Sequence, residues 1–173
     1  MGGTDRDAEF VEYYAVRAPA LRRLAFGLCG DWHTADDLVQ TTCIRLYRGW
    51  GRIRAETIDA YARRALVNQF LSQRRRWRES VTADPPDTAH PTDDIDRVPE
   101  RMALHQALAM LGPRQRAAVV LRYLEDLPVA DVATLLGVSE GTVKSQTARA
   151  VQALRAALNG TTLITNVERK GRP

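Results

Sequence analysis

The sequence predicts an all-α protein: two small helical domains joined by a flexible acidic linker. Three observations carry this. Aromatic residues make only 6% of the 173 residues, and Leu, Ala and Val supply most of the apolar content, a palette that favours helix over strand. Apolar side chains recur at helical spacing on both sides of one gap. Inside the gap, residues 79–100, the apolar residues are few and aperiodic. Pro85, Pro86, Pro91 and Pro99 stand there, and seven acids face one arginine. Such a segment buries too little to offset the entropy of ordering it.

Charge follows the same division. Residues 1–78 carry 14 basic and 9 acidic side chains, and residues 101–173 carry 10 and 5; the whole chain is +4. Two basic domains flanking an acidic tether point to a polyanionic partner, because Lys and Arg contacts to phosphate release counterions. A solvated, arginine-rich surface explains the charge alone equally well. Cys29 and Cys43 are the only cysteines and form no CxxC, which excludes a disulfide scaffold. No apolar run approaches the ~20 residues of a membrane helix. The opening MGGTDRDAEF has no apolar signal core. The expected location is cytoplasmic.

The first domain, 1–78, divides into four helical stretches. One runs from Asp7 to Arg17, with Phe10, Val11 and Tyr14 on one face. Pro19 starts a second, since a proline at the first helical position loses no needed hydrogen bond. That helix carries Leu21, Leu24, Ala25 and Leu28 inward and stops at Gly30. A third follows a Thr34 cap, with Asp36 and Asp37 in its first turn and Ala35, Leu38, Val39, Thr42 and Leu46 inward. The fourth spans Thr57 to Trp77, with Tyr61, Ala65, Leu66 and Leu71 inward, and ends in Arg74-Arg75-Arg76. Aromatics beside arginines suit single-stranded nucleic acid, because bases stack on rings while arginines hold phosphates. By composition alone, Tyr61 and Phe70 read first as core and the arginines as a solvated helix end.

The second domain, 101–158, is led by Ala103–Tyr123, divided near Gly112-Pro113. Residues 131–143, DVATLLGVSEGTV, then fit a helix-turn-helix. Ala133 is small where the helices cross. Gly137 supplies a turn that needs positive φ. Val132, Leu136, Val138 and Val143 bury the seam, and Ser139 caps the second helix. At 100° per residue, Val143, Thr147, Ala150, Leu154 and Leu158 gather on one side of that helix. Ser145, Ala148, Arg149 and Gln152 gather opposite, with Lys144 and Gln146 at the borders. Such a face can reach phosphates and base edges in a major groove; a helical hairpin that binds nothing is the plain alternative. The tail, 159–173, reads as polar and mobile.

The two halves together resemble the extracytoplasmic-function (ECF) sigma factors, with a likeness to their actinobacterial SigE-like branch. The resemblance rests on Gly30-Asp31, Ala35 to Gln40, Arg45-Leu46-Tyr47, Trp50, Tyr61, Ala65, Val67-Asn68 and Arg74 to Arg76. It continues through Leu111, Pro113, Arg116, Leu121-Arg122-Tyr123, Gly141 to Ser145 and Arg149-Ala150. It covers about residues 8–158, in family order, with the acidic linker between. It implies a transcription initiation factor that binds core RNA polymerase and promoter DNA, holds no cofactor or metal and is not an enzyme. Asp36, Asp37, Leu38 and Gln40 match the segment that docks on the β′ clamp helices; the β flap is a further implied contact. Tyr61, Arg63, Arg64, Asn68, Arg74, Arg75 and Arg76 match the −10 reader, with Asn68 where a flipped base is held. Thr142, Lys144, Ser145, Gln146, Ala148 and Arg149 match the −35 reader. Gln146 and Val151 stand where many members have Arg, and Thr147 where Leu is usual. The family further implies an anti-sigma factor that masks both domains, so the chain is expected at the nucleoid or held at the membrane by that partner.

Two other readings compete. A stand-alone helix-turn-helix regulator would typically dimerise on a palindrome; the first domain resembles no ligand sensor. An enzyme would need a catalytic constellation, but His33, His90 and His105 are scattered and no P-loop or triad order occurs. Cys29 and His33 are four apart, with Cys43 the only obvious further metal ligand. Small buried cysteines are the simpler reading. Asp36 and Asp37 at a helix start read as dipole partners before metal ligands.

Overall fold

The computed structural model describes the backbone of residues 3–54, 57–80 and 99–170, and side chains for most of these as far as 159. The described residues form seven α-helices: α1 Gly3–Cys29, α2 Trp32–Gly49, α3 Ile58–Ser80, α4 Pro99–Ala109, α5 Pro113–Tyr123, α6 Val129–Leu136 and α7 Glu140–Lys170. A short 3₁₀ turn, Trp50–Arg52, follows α2. No strand occurs among the described residues. Most of the linker expected at 79–100 lies outside them.

The first domain is a three-helix bundle, not four helices. Pro19 stands inside α1 and does not start a new helix. Pro19 and Ala15, whose carbonyl loses its donor, are both exposed, so water replaces the missing bond. Gly30, at φ 77°, turns the chain sharply, and its N–H donates to the Phe26 carbonyl at 2.7 Å. Asp31, not Thr34, caps α2: its carboxylate accepts from the Thr34 N–H at 2.7 Å. Thr34 is thus inside the helix, and Asp36 and Asp37 fall beyond its first turn. The inward face of α2 is as expected: Ala35, Leu38, Val39, Thr42 and Leu46 are buried. On α3 the pattern is rotated. Ala62, Leu66, Val67 and Phe70 are buried, whereas Tyr61 is exposed. Val11, read as inward, also points to solvent; Phe10 instead packs edge-on against Trp50 at 5.1 Å.

In the second domain, Gly112-Pro113 separates α4 from α5, with proline in the first turn where no N–H is needed. Gly137 adopts φ 65°, and Val132 and Val143 are buried across the α6–α7 seam. The Ser139 Oγ accepts from the Thr142 N–H at 3.1 Å. Helix α7 continues to Lys170 and does not end near 159. The side chains of the tail lie outside the described residues.

The domains share one apolar core, which sequence reading as two separate modules did not anticipate. Helix α5 packs against α1 and α3, and α6 against α3. Phe26 stacks on Trp32 at 3.9 Å and meets His105 of α4 edge-on at 4.5 Å. Arg116 is 6% exposed. Its Nη1 donates to the Leu28 carbonyl at 3.0 Å and its Nη2 to the Ala109 carbonyl at 2.7 Å. One guanidinium therefore serves the ends of α1 and α4. α1 has no basic residue in its own last turn, so a cation from the other domain supplies what the helix dipole favours there. Burial lowers the Arg116 pKa to about 10.

Candidate nucleic-acid interface

Helix α7 presents the first candidate surface. Lys144, Ser145, Ala148, Arg149 and Gln152 are exposed, while Val143 and Ala150 are buried. The 3.6-residue period thus puts the polar set outward by burying the apolar set. The Ser145 hydroxyl donates to the Thr142 carbonyl at 3.0 Å and is held against the helix. Thr142 is partly buried in the cap with Ser139. Gln146 departs from the expected exposed border. It is partly buried, turned toward Leu71 and Leu136, and its Oε1 is buried without a hydrogen-bond partner.

Helix α3 presents the second. Tyr61, Arg64, Asn68, Arg75 and Arg76 are exposed, and Arg63 and Arg74 are partly buried. Phe70 is core, and Trp77 is exposed near the basic end. Arg63 Nε lies 3.9 Å from Glu125 Oε2 in the second domain. Asn68, Arg74 and Arg75 line a cleft of about 880 Å³ that reaches Arg114, Gln115 and Gln146.

Helix α2 carries the third. Asp36, Asp37 and Gln40 are exposed together. Leu38 is fully buried, so it holds α2 to the bundle and cannot itself be a docking residue in this conformation. Arg22 donates to the Asp36 carboxylate through Nε and Nη2, at 2.5 and 3.0 Å, and lies over the Trp32 ring at 4.3 Å. This pairing holds the Asp36 carboxyl below its ordinary range. Sequence reading missed Arg22, Arg63–Glu125 and Arg116 as partners. The contacts are 14, 62 and 88 residues apart, and no periodic signal links them.

Cys29 and Cys43 are free thiols, and burial pushes Cys29 up to about 11. No group of three or more metal-ligating side chains occurs among the described residues. None of their helices is long and apolar enough to cross a membrane.

Both halves match known families. Residues 14–79 match the model for sigma-70 region 2, and residues 101–154 that for sigma-70, region 4. The RNA polymerase sigma-E factor of Streptomyces avermitilis is 39% identical over 153 residues, covering 87% of this chain and 85% of that protein. The ECF RNA polymerase sigma factor SigE of Mycolicibacterium smegmatis is 36% identical over 162 residues, covering 85% of this chain and 59% of that protein. The chain belongs to the ECF sigma factors. As an ECF sigma factor of the actinobacterial SigE type, it is a transcription initiation factor and not a stand-alone regulator. Solved sigma-factor structures share its fold. RpoE of Bartonella quintana, crystallised with the anti-sigma factor NepR, aligns with TM-score 0.67 at 27% identity, covering 87% of this chain and 97% of that one. CnrH, in complex with the cytosolic domain of CnrY, aligns with TM-score 0.65 at 20% identity, covering 89% and 90%, a likeness of fold.

Proposed function

We propose that this ECF sigma factor directs core RNA polymerase to promoters through three surfaces with separate tasks. Asp36, Asp37 and Gln40 on α2 dock on the β′ clamp helices, and the second domain contacts the β flap. Tyr61, Arg63, Arg64, Asn68 and Arg74 to Arg76 on α3 hold the melted −10 strand: a ring for stacking, an amide that both donates and accepts, and cations for phosphates. Lys144, Ser145, Ala148 and Arg149 on α7 read the −35 duplex, with Thr142 and Gln146 at the edge of that face. Strand opening is driven by capture of unpaired bases, with no catalytic residue, metal or cofactor.

The observation that carries this reading is the outward array on α3. An exposed tyrosine, an exposed asparagine and a basic helix end lie along one helix whose opposite face is core. A plain structural helix has no need of that tyrosine outside. An anti-sigma partner is named for the solved RpoE structure, and a partner of that class fits here too. The factor acts in the cytoplasm at the nucleoid, or at the membrane when such a partner holds it.

Run-off transcription with core polymerase over a promoter library tests the reading and reports both recognised elements. Promoter-specific transcripts that require the chain are expected. A chain that fails to associate with core polymerase, free of any inhibitory partner, would overturn it.

A further inference from the structure

Arginines from both domains crowd one place. Arg74 and Arg75 of α3 and Arg114 of α5 line the same cleft of about 880 Å³. Arg116 is near enough to feel them: burial lowers its pKa, and the charge of Arg74 lowers it further. Among the described residues lining the cleft, Glu79 is the one carboxylate. It lies 4.0 Å from Arg75 Nε with both side chains exposed, so the pair neutralises little. The packing thus concentrates positive charge that neither domain holds alone.

The rest of the lining has a different character. Leu71 and Leu136 give it an apolar wall, and Gln115 and Gln146 bring amides. The Gln146 Oε1 is buried without a hydrogen-bond partner. The last side-chain torsion of a glutamine is soft, so a turn of the amide points that oxygen at a ligand N–H in the cleft. Clustered guanidinium groups suit clustered phosphates, which they hold as forks. A single strand of DNA spreads one charge over each nucleotide, whereas a polyphosphate places several within reach of one cleft. An apolar wall beside amides suits a planar ring whose edge both donates and accepts. The volume is ordinary for a small-molecule site.

We propose that this cleft binds a nucleoside polyphosphate: Arg74, Arg75 and Arg114 hold the phosphates, and the base lies against Leu71 and Leu136 with its polar edge toward Gln115 and Gln146. The assignment goes beyond promoter recognition and does not rest on it. Because the ligand touches α3, α5 and α7 together, its binding stabilises the packing of the two domains.

Isothermal titration of the full-length chain, without polymerase or magnesium, tests this. The probes are GTP, ATP, inorganic tripolyphosphate and a 15-nucleotide single strand. One nucleoside triphosphate per chain is expected, about tenfold tighter than tripolyphosphate through its base contacts. Arg75→Gln and Arg114→Gln, one in each domain, should each weaken it about 10- to 100-fold, the loss of a charge-assisted contact. Arg155→Gln, at an exposed arginine of α7 outside the cleft, should change nothing. Gln146→Leu should bring the nucleotide down to the affinity of tripolyphosphate and leave tripolyphosphate unchanged. Circular dichroism checks helicity; if Gln146→Leu loses it, Gln115→Leu decides, and the comparison of probes on the unaltered chain needs neither.

No saturable binding of either nucleotide overturns the proposal. Equal weakening by Arg155→Gln and Arg114→Gln overturns the site, since the attraction is then that of any polyanion to a basic chain. Tripolyphosphate as tight as both nucleotides overturns the nucleoside, and nucleotide affinity unmoved by the glutamine variants overturns the placement of the base. A strand that binds where neither nucleotide does overturns the proposal and leaves the cleft to DNA. Absent promoter-specific transcripts in the run-off assay sink the promoter reading and leave the titration standing.

Discussion

Arg116 is a cation in an apolar setting whose hydrogen-bond partners are carbonyls at two helix ends. Charge-assisted bonds of this kind are worth about 1.5–3 kcal/mol each, and truncation leaves the carbonyls buried without donors. Arg116→Met is therefore expected to lower stability by about 2–4 kcal/mol, read as a drop in urea midpoint. Arg116→Lys should recover only part, because an ammonium lacks the planar fork. Glu125 gives a prediction with a sign. Burial raises its carboxyl pKa, and Arg63 and Arg23 pull the other way without cancelling it. The folded value lies above the ordinary 4.5, so the folded chain binds the proton more tightly. The stability contributed by this group is fully present below pH 4.5 and is lost as pH rises through the folded value. Glu125→Gln should flatten that slope in urea midpoints measured across the interval. Arg116 carried part of the family resemblance, but nothing in the sequence announced its burial or its partners, and Glu125 was not singled out at all. Arg116 is one of ten basic residues in its segment, and only the unbroken buried run Ala117 to Leu121 beside it marks a helix enclosed on most sides.

At the scale of the element, local chemistry was legible where the backbone demanded a residue type. Gly137 at φ 65°, Ser139 as a cap and Pro113 in a first turn all sit where the sequence put them. Pro19 misled, because proline both starts helices and survives inside them when its vacant acceptor faces water. Asp31 displaced Thr34 as a cap because the turn after Gly30 is so short that the carboxylate already reaches the Thr34 N–H. The register of α3 was misread by part of a turn, since Tyr61 and Ala62 offer two overlapping apolar stripes and only packing chooses between them. Pro19→Ala should raise stability by about 2 kcal/mol. The restored bond and propensity give up to ~3 kcal/mol, less ~0.4–1 kcal/mol for a freer unfolded chain. Thermal melts of the two proteins check this.

At the scale of the whole molecule, the division into two helical domains was readable from charge and periodicity, and the −10 and −35 candidates from family order. The contact between the domains was not readable: the apolar side chains of α1, α3, α5 and α6 that meet there read equally well as the cores of two separate domains, and Gly27 and Arg116 alter no hydrophobic pattern. With two readers on two domains, their losses should separate. Arg149→Ala is expected to weaken −35 duplex binding by polymerase holoenzyme about 5- to 50-fold, the loss of one good contact. Asn68→Ala should leave duplex binding intact and reduce permanganate reactivity of the opened region; an unchanged footprint would remove Asn68 from its assigned task.

Leu28 and its Arg116 partner are 88 residues apart, and that separation has a temporal meaning. During synthesis at about 5–20 residues per second, the carboxyl end of α1 is made on the order of 4–18 s before the guanidinium that completes it. The nascent first domain must therefore stand on its own core through that interval, with its last carbonyls served by water. A ribosome stalled between the two positions would hold the chain in a form that the finished molecule hides.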